Sequence, residues 1–234
     1  MSGLEQVSYT DRGTALTAWL ARPAGAARGA IVVFPTIANP MPPTKRRAEM
    51  LAEAGFVAMV ADFYGEPVAS FEAAGPLAQQ LRADPANYRA RIAAAVAALR
   101  AHPAAAGLTL STIGYCMGGQ AALEAARAGE DVALAASFHG ILATDRPADK
   151  PIAARLLICH GDADPLVPRE QVLGFWQEMD AVGANWHFHS YSGVKHGFTD
   201  PGSDARGMPA IGYNASADRQ SWAALMQMLD EVYG

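Results

Sequence analysis

The ten residues 114–123, GYCMGGQAAL, place a cysteine between an apolar run and a helix-forming run. The segment LTLSTI precedes them, and AALEAARA continues from residue 121. This order predicts a strand that turns sharply into a helix, with Cys116 at the bend. Gly114, Cys116 and Gly118 fit the G-x-[nucleophile]-x-G pattern of a nucleophile elbow, in which small flanking residues let the strand and the helix approach each other.

The predicted helix gives the cysteine a chemical role. A helix that begins near Gly118 directs its N-terminal amides and the positive end of its dipole towards the sulfur, which favours the thiolate over the thiol. The alternative is a structural cysteine in a tight turn, because free cysteine is among the most buried residue types. The motif alone leaves both interpretations open.

Short apolar runs alternate along the chain with longer helical patterns, which is typical of a mostly parallel sheet with helices on both faces. Strands are predicted at 16–21, 30–34, 57–62, 108–115, 132–138, 155–160 and 186–191. Helices are predicted at 44–54, 88–102, 118–127, 170–182 and 217–233. The segment 65–85 fits a short helix over the sheet, and the Gly/Pro-rich segment 199–214 fits a loop of the length that is often functional.

Length and composition limit the class of protein. With 234 residues, 51% of them hydrophobic and 18% charged, the chain fits one globular domain over residues 1–234. No apolar run approaches the roughly 20 residues of a membrane span. The N-terminus lacks a secretory signal pattern, so a cytoplasmic location is expected.

Charge and cysteine content exclude further classes. A net charge of −5 without a basic patch argues against nucleic acid and anionic membranes as partners. Cys116 and Cys159 are the two cysteines, and neither lies in a cluster with the spacing of a metal site. No metal or organic cofactor is therefore expected, and the predicted state is a monomer or a small homo-oligomer.

A thiol nucleophile requires a base, and the base requires an orienting acid. The predicted strand 155–160 is followed by GDADPLVP, which contains Asp162 and Asp164, and the strand 186–191 is followed by SGVKHGF, which contains His196. In open α/β sheets the carboxyl ends of the strands form the ligand crevice. The order nucleophile, acid, histidine is that of α/β-hydrolases. The residues alone leave the choice between the two aspartates open.

Five further histidines compete for the role of base: His102, His139, His160, His187 and His189. The two in the strand 186–191 share one face and end before the loop, and the one that ends the helix 88–102 fits a charge partner at the helix C-terminus. The remaining two lie at strand ends but do not follow the acid. His196, in a loop with glycine turns, is the predicted base.

Four segments resemble the dienelactone hydrolase family of cysteine-triad α/β-hydrolases: TKRRAEMLAEAGFVAMVADFYG, GYCMGG, HGDADPLVP and YSGVKHGF, in this order. The resemblance covers nearly the whole chain. The family pattern G-x-x-D-x-x-V falls on Gly161, Asp164 and Val167, which implies Asp164 as the acid. The resemblance also implies an oxyanion hole built from the amides of Met117 and Ile37.

The sequence departs from the founding pattern of that family in two places. Dienelactone-cleaving members have a glutamate after the strand that corresponds to IVVFP, and Thr36 stands at that position here. Those members also bind the substrate carboxylate with arginines, one of them shortly after the histidine, whereas this chain continues from His196 with GFTDPGSD. Both departures count against dienelactone as the substrate and predict a pocket without a cationic clamp.

The predicted function is hydrolysis of small esters or lactones by acyl transfer through Cys116, with promiscuous attack on activated aryl esters or phosphotriesters. The alternatives are a non-catalytic binding protein with a hydrolase fold and a thiol redox sensor, for which Cys159 is a poor resolving partner. Candidate substrate-binding residues, most of them equally compatible with core packing, are Thr36, Phe63, Tyr64, Tyr115 and Phe198.

Overall fold

The computed structural model describes residues 4–234. Its strands form one eight-stranded sheet in the order β1-β2-β4-β3-β5-β6-β7-β8. The strands are β1 Glu5–Asp11, β2 Thr14–Ala21, β3 Gly29–Phe34, β4 Phe56–Val60, β5 Leu110–Tyr115, β6 Leu134–Phe138, β7 Arg155–Gly161 and β8 Trp186–Tyr191. Strands β3 to β8 are parallel, and β2 is antiparallel to both β1 and β4. The mostly parallel sheet predicted from the sequence is confirmed.

The helices cover both faces of the sheet. They are α1 Pro42–Glu53, α2 Phe71–Ala83, α3 Pro85–Ala101, α4 Met117–Arg127, α5 Arg169–Ala181 and α6 Ala215–Tyr233. Side chains of α2 to α5 pack into one hydrophobic cluster and those of α1 and α6 into another. Alternate residues of β3 enter the two clusters, with Val32 in the first and Val33 in the second, because successive side chains of a strand point to opposite faces.

One strand of the fold differs from the sequence-based expectation. Strand β1 was not predicted, because most of its side chains are exposed or half-buried and it carries no apolar run. It forms a hairpin with β2 along its whole length. The short helix predicted within the segment 65–85 is confirmed as α2, whose N-cap residue Ser70 accepts a hydrogen bond from the Ala73 amide. Among residues 4–234, no helix combines the length and apolar character that crossing a membrane requires.

The parallel strands bring distant segments of the chain to one edge of the sheet. Register pairs Phe34 with Gly114, and Tyr115 with Phe138. The loops that follow β3, β5, β6, β7 and β8 therefore meet at their carboxyl ends, where ligands bind in this type of sheet.

Candidate active site

Cys116 lies between β5 and α4 in a backbone conformation that side chains rarely adopt, with φ 57° and ψ −119°. A Cβ atom at Gly114 would lie 1.9 Å from the Gly118 carbonyl oxygen, and one at Gly118 would lie 2.1 Å from the Phe34 carbonyl oxygen. Only glycine fits at these two positions, because real Cβ atoms do not approach backbone so closely. The local geometry is that of a nucleophile elbow, as the sequence pattern predicts.

His196 and Asp164 are buried next to each other beside the elbow. His196 Nδ1 lies 2.7 Å from Asp164 Oδ2, and the two residues are 3% and 2% exposed. The Leu166 amide donates to the other oxygen of Asp164 at 2.9 Å. His196 Nε2 is buried and has no hydrogen-bond partner among residues 4–234 that meets normal geometry. The thiol of Cys116 lies close enough to His196 for the two groups to shift each other's pKa.

The cysteine and the histidine change each other's pKa. Burial by itself raises the pKa of the Cys116 thiol, but the positive charge of His196 and the Met117 and Ile37 amides outweigh burial and hold that pKa below its ordinary value. Burial also opposes the charged form of His196, yet the Cys116 thiolate and the hydrogen bond to Asp164 raise the pKa of His196 to about 10. The arrangement favours a thiolate and imidazolium pair.

The two candidate aspartates have different surroundings. Asp164 contacts His196, whereas Asp162 forms an ion pair with Arg169, with Arg169 Nη2 2.7 Å from Asp162 Oδ2. Arg169 is largely exposed. The structure therefore brings Asp164 to the histidine and directs Asp162 away from it.

The backbone amides of Met117 and Ile37 both interact with the Cys116 sulfur, and their hydrogen bonds lower the pKa of its thiol. Met117 is the first residue of α4, and Ile37 follows β3. Each residue is held by a tyrosine, since the Tyr88 hydroxyl donates to the Met117 carbonyl and the Tyr64 hydroxyl to the Ile37 carbonyl, both at 2.8 Å. The sequence pattern contained no signal for Tyr88, which lies within the alanine-rich helix α3.

A small, partly open cavity adjoins Cys116 and His196, with about 30 Å³ of free space. Its polar wall includes Thr36, which carries no charge, and Thr199. Its apolar wall consists of Met41, Pro43, Phe71, Tyr115 and Ile211.

Two arginines also line this cavity, which corrects the prediction of a pocket without cations. Arg47 of α1 forms an ion pair with Asp218, and Arg206 forms one with Asp200. The motif after His196 did not reveal them, because Arg47 lies far away in the sequence and Arg206 follows a turn within the 199–214 loop. Both charges are already matched by carboxylates.

Three of the predicted pocket residues do not line this cavity. Phe63 stacks on Phe34 in the core, and Phe198 is fully buried between His139 and Tyr191. The Tyr64 hydroxyl instead holds the Ile37 carbonyl. These positions are therefore corrected from cavity wall to core or support, whereas Thr36 and Tyr115 line the cavity.

The other histidines divide into three groups. His187 and His189 are exposed on β8. His102 lies near a carboxylate, with its Nε2 3.8 Å from Glu5 Oε1. His160 is buried against Phe188. His139 is part of the cavity wall and accepts a hydrogen bond from the Cys116 amide, a contact that the sequence analysis missed.

The parallel sheet and the elbow at its centre define an α/β-hydrolase. The sequence matches the dienelactone hydrolase family over residues 16–233, and the chain belongs to that family. It is similar in structure to a dienelactone hydrolase-like promiscuous phosphotriesterase from metagenomic libraries, with a TM-score of 0.92, 31% identity, and coverage of 99% of this chain and 98% of the other.

Two relatives are similar in sequence. A probable 2-oxo-3-(5-oxofuran-2-ylidene)propanoate lactonase of Bradyrhizobium sp is 28% identical over 94% of this chain and 90% of its own. An uncharacterized protein of Caenorhabditis elegans is 33% identical over 63% of this chain and 95% of its own. The family and the lactonase relative support hydrolase activity.

Proposed function

We propose that this protein hydrolyses small, uncharged esters or lactones by acyl transfer through Cys116. One observation carries the proposal: the elbow cysteine, with a lowered thiol pKa, shares a site with a buried histidine bonded to Asp164 at 2.7 Å. The lactonase relative supports a lactone as one class of substrate.

The first half of the proposed reaction forms a thioester. The Cys116 thiolate attacks the carbonyl carbon, and the negative charge that develops on the carbonyl oxygen is received by the Met117 and Ile37 amides. When the tetrahedral intermediate collapses, the bond to the leaving oxygen breaks and His196 Nε2 donates its proton to that oxygen. Asp164 holds the imidazolium through Nδ1.

The second half releases the acid. A water molecule gives a proton to the now neutral Nε2 of His196, and its oxygen attacks the thioester carbon. The bond between carbon and sulfur then breaks, which regenerates the thiolate of Cys116 and the imidazolium of His196. Atoms and protons balance without a cofactor.

The charges around the cavity favour an uncharged substrate. Arg47 and Arg206 line it, but Asp218 and Asp200 already neutralise their charges, which weakens their attraction for a substrate carboxylate. A carboxylate-bearing substrate would have to share one of these arginines with the aspartate already paired to it. The apolar wall, in contrast, suits the hydrocarbon part of an ester.

A second candidate activity is attack on an activated phosphotriester. The phosphotriesterase relative is 31% identical over nearly the full chain, and it supports this possibility. Thiolate attack on phosphorus would expel an aryloxide and form a sulfur–phosphorus bond, which water activated by His196 would then break.

A redox sensor is disfavoured by the surroundings of the second cysteine. Cys159 lies on β7 with no exposed surface, and burial raises the pKa of its thiol to about 12. A resolving thiol needs access and thiolate character, and Cys159 lacks both.

Mass spectrometry during turnover of p-nitrophenyl acetate tests the proposed function. We expect an acetyl group on Cys116 that appears with the first product and disappears as substrate is exhausted. Cys116→Ala should abolish both the adduct and the hydrolysis, and Cys159→Ala should retain both. Hydrolysis by Cys116→Ala within about tenfold of the wild-type rate would contradict the mechanism, because loss of a nucleophile usually costs far more.

A further inference from the structure

His139 connects the backbone of Cys116 to the loop that carries His196. It follows β6 and is 2% exposed. Its Nδ1 accepts a hydrogen bond from the Cys116 amide at 3.1 Å, and its Nε2 lies 2.9 Å from Thr199 Oγ1. Because Nδ1 acts as an acceptor, the ring proton is on Nε2, which donates to the Thr199 hydroxyl.

Both residues of the first hydrogen bond have strained backbone. Cys116 has φ 57° and His139 has φ 41°, and such backbone conformations persist only when their surroundings hold them. The Cys116 amide also donates to the Phe138 carbonyl at 3.0 Å, and the His139 amide to the Cys159 carbonyl at 2.9 Å. The imidazole of His139 is thus one of the groups that hold the elbow in its strained conformation.

The second hydrogen bond reaches the loop of the base. Thr199 lies three residues after His196 in the sequence, and its carbonyl accepts from Arg47 Nη2 at 3.2 Å. The rings of His139 and His196 meet edge to face, with centroids 5.1 Å apart. The elbow of Cys116 and the loop of His196 are therefore linked through the side chains of His139 and Thr199.

The surroundings of His139 keep its ring neutral. Burial, and then the charge of His196, hold the pKa of His139 well below its ordinary value, with smaller contributions from Arg47 and Arg206. A protonated ring would lose the acceptor at Nδ1 and would add a positive charge beside the imidazolium of His196.

We propose that His139 and Thr199 are positioning residues, which set the distance between the sulfur of Cys116 and Nε2 of His196. This role rests on the proposed function, because it matters only if the two groups exchange a proton. The competing explanation is that His139 merely fills space between Tyr115 and Phe198, whose rings it contacts. If the two residues position the site, the Thr199 hydroxyl and the ring nitrogens of His139 should affect the rate. If His139 only fills space, they should not.

Substitutions at Thr199 separate the two explanations with little change in shape. Thr199→Val removes the hydroxyl and keeps the volume, whereas Thr199→Ser keeps the hydroxyl. We expect Thr199→Val to lower kcat for p-nitrophenyl acetate by about tenfold, with KM within about twofold, because a misplacement of about 1 Å costs up to about 100-fold in rate. Thr199→Ser should stay within about threefold of wild type in kcat, which is the rescue expected for a hydrogen-bonding role.

Substitutions at His139 test the other end of the link. In His139→Asn the amide oxygen can replace Nδ1 as acceptor, and asparagine tolerates positive φ, but the side chain does not reach Thr199. His139→Leu removes both hydrogen bonds and should lower kcat by about 100-fold. It should also move the inflection of iodoacetamide alkylation of Cys116 to higher pH, because the thiolate and imidazolium pair is no longer held together. His187→Asn, on the exposed side of β8, is the matched control and should change neither quantity.

A double-mutant cycle completes the test. Thr199→Val should cost nothing further in the His139→Asn background, because both substitutions remove the same hydrogen bond. The proposal is overturned if Thr199→Val keeps the wild-type kcat, or if His139→Leu lowers thermal stability but leaves kcat and the alkylation profile unchanged. Absence of ester hydrolysis in the wild-type protein would instead refute the proposed function.

Discussion

The guanidinium of Arg206 lies 4.5 Å from the centre of the Phe71 ring, and both side chains line the active-site cavity. Phe71 begins α2, and Arg206 ends a short turn in the 199–214 loop, so the contact joins two segments that are far apart in the sequence. The cavity has about 30 Å³ of free space, whereas an apolar cavity of about 150 Å³ holds benzene in another protein. An aryl ester therefore fits fully inside only if lining side chains move, and separation of Arg206 from Phe71 would enlarge the cavity.

Phe71→Ala should widen the range of esters that react. An interaction between a cation and an aromatic ring contributes about 1 kcal/mol, which corresponds to about a fivefold change in an equilibrium constant. We expect the ratio of kcat/KM for p-nitrophenyl hexanoate to that for the acetate to rise by about fivefold. Leu173→Ala, which shortens an exposed side chain on α5, is the control and should leave the ratio unchanged. An unchanged ratio in Phe71→Ala would show that this contact does not limit access.

The two aspartates in the loop after β7 should differ in their effect on catalysis. Asp164→Asn replaces the carboxylate bonded to His196 Nδ1, and we expect kcat to fall by about 10⁴-fold, as it does on loss of the triad carboxylate in a serine protease. Asp162→Asn removes an exposed ion pair with Arg169, a kind of contact that contributes little. Steady-state kinetics of both variants decide the assignment, and the opposite ranking would contradict it.

Residues of the site that are close together in the sequence could be predicted from it better than residues that are far apart. The elbow around Cys116 depends on residues within a few positions of each other, so glycine spacing was enough to predict it. Asp164 was chosen over Asp162 by family resemblance, because the carboxylates are two residues apart and only the turn decides which one faces His196. Arg47, His139 and Arg206 reach the cavity only through strand register and loop packing, which no short motif encodes.

The strands of the fold also differ in how well the sequence predicts them. Apolar runs predicted the buried parallel strands, since both of their faces are covered by helices. Strand β1, at the edge of the sheet, has mostly exposed or half-buried side chains and therefore no apolar run that would predict it. It is held in the sheet by its pairing with β2.

The hydroxyls of Tyr64 and Tyr88 should contribute to the rate without contacting the substrate. Each donates to the carbonyl of a residue whose amide is proposed to receive the oxyanion. A hydrogen bond of this kind contributes about 1 kcal/mol, so Tyr64→Phe and Tyr88→Phe should each lower kcat by about fivefold with little change in KM. Tyr233→Phe is the control, because the Tyr233 hydroxyl bonds to Ser111 near the opposite end of β5. Equal effects on kcat from all three variants would contradict a specific role of the first two.

The absence of charge at Thr36 should control the ionisation of Cys116. Thr36 lines the cavity beside the sulfur, where dienelactone-cleaving relatives are expected to have a glutamate. The charge of His196 and the Met117 and Ile37 amides hold the pKa of the thiol below its ordinary value despite burial, so the rate of iodoacetamide alkylation should show an inflection below about 8.5. Below that inflection the thiol is protonated and the alkylation rate falls.

Thr36→Glu should move this inflection to higher pH, because a carboxylate near the sulfur disfavours the thiolate by like-charge repulsion. The glutamine in Thr36→Gln has nearly the same shape as glutamate but carries no charge, so the inflection of this variant should stay close to that of the wild type. The two variants therefore separate the electrostatic effect from a change in packing. An inflection at or above about 8.5 in the wild-type protein would mean that the resting cysteine is a thiol, and that His196 removes its proton only after substrate binds.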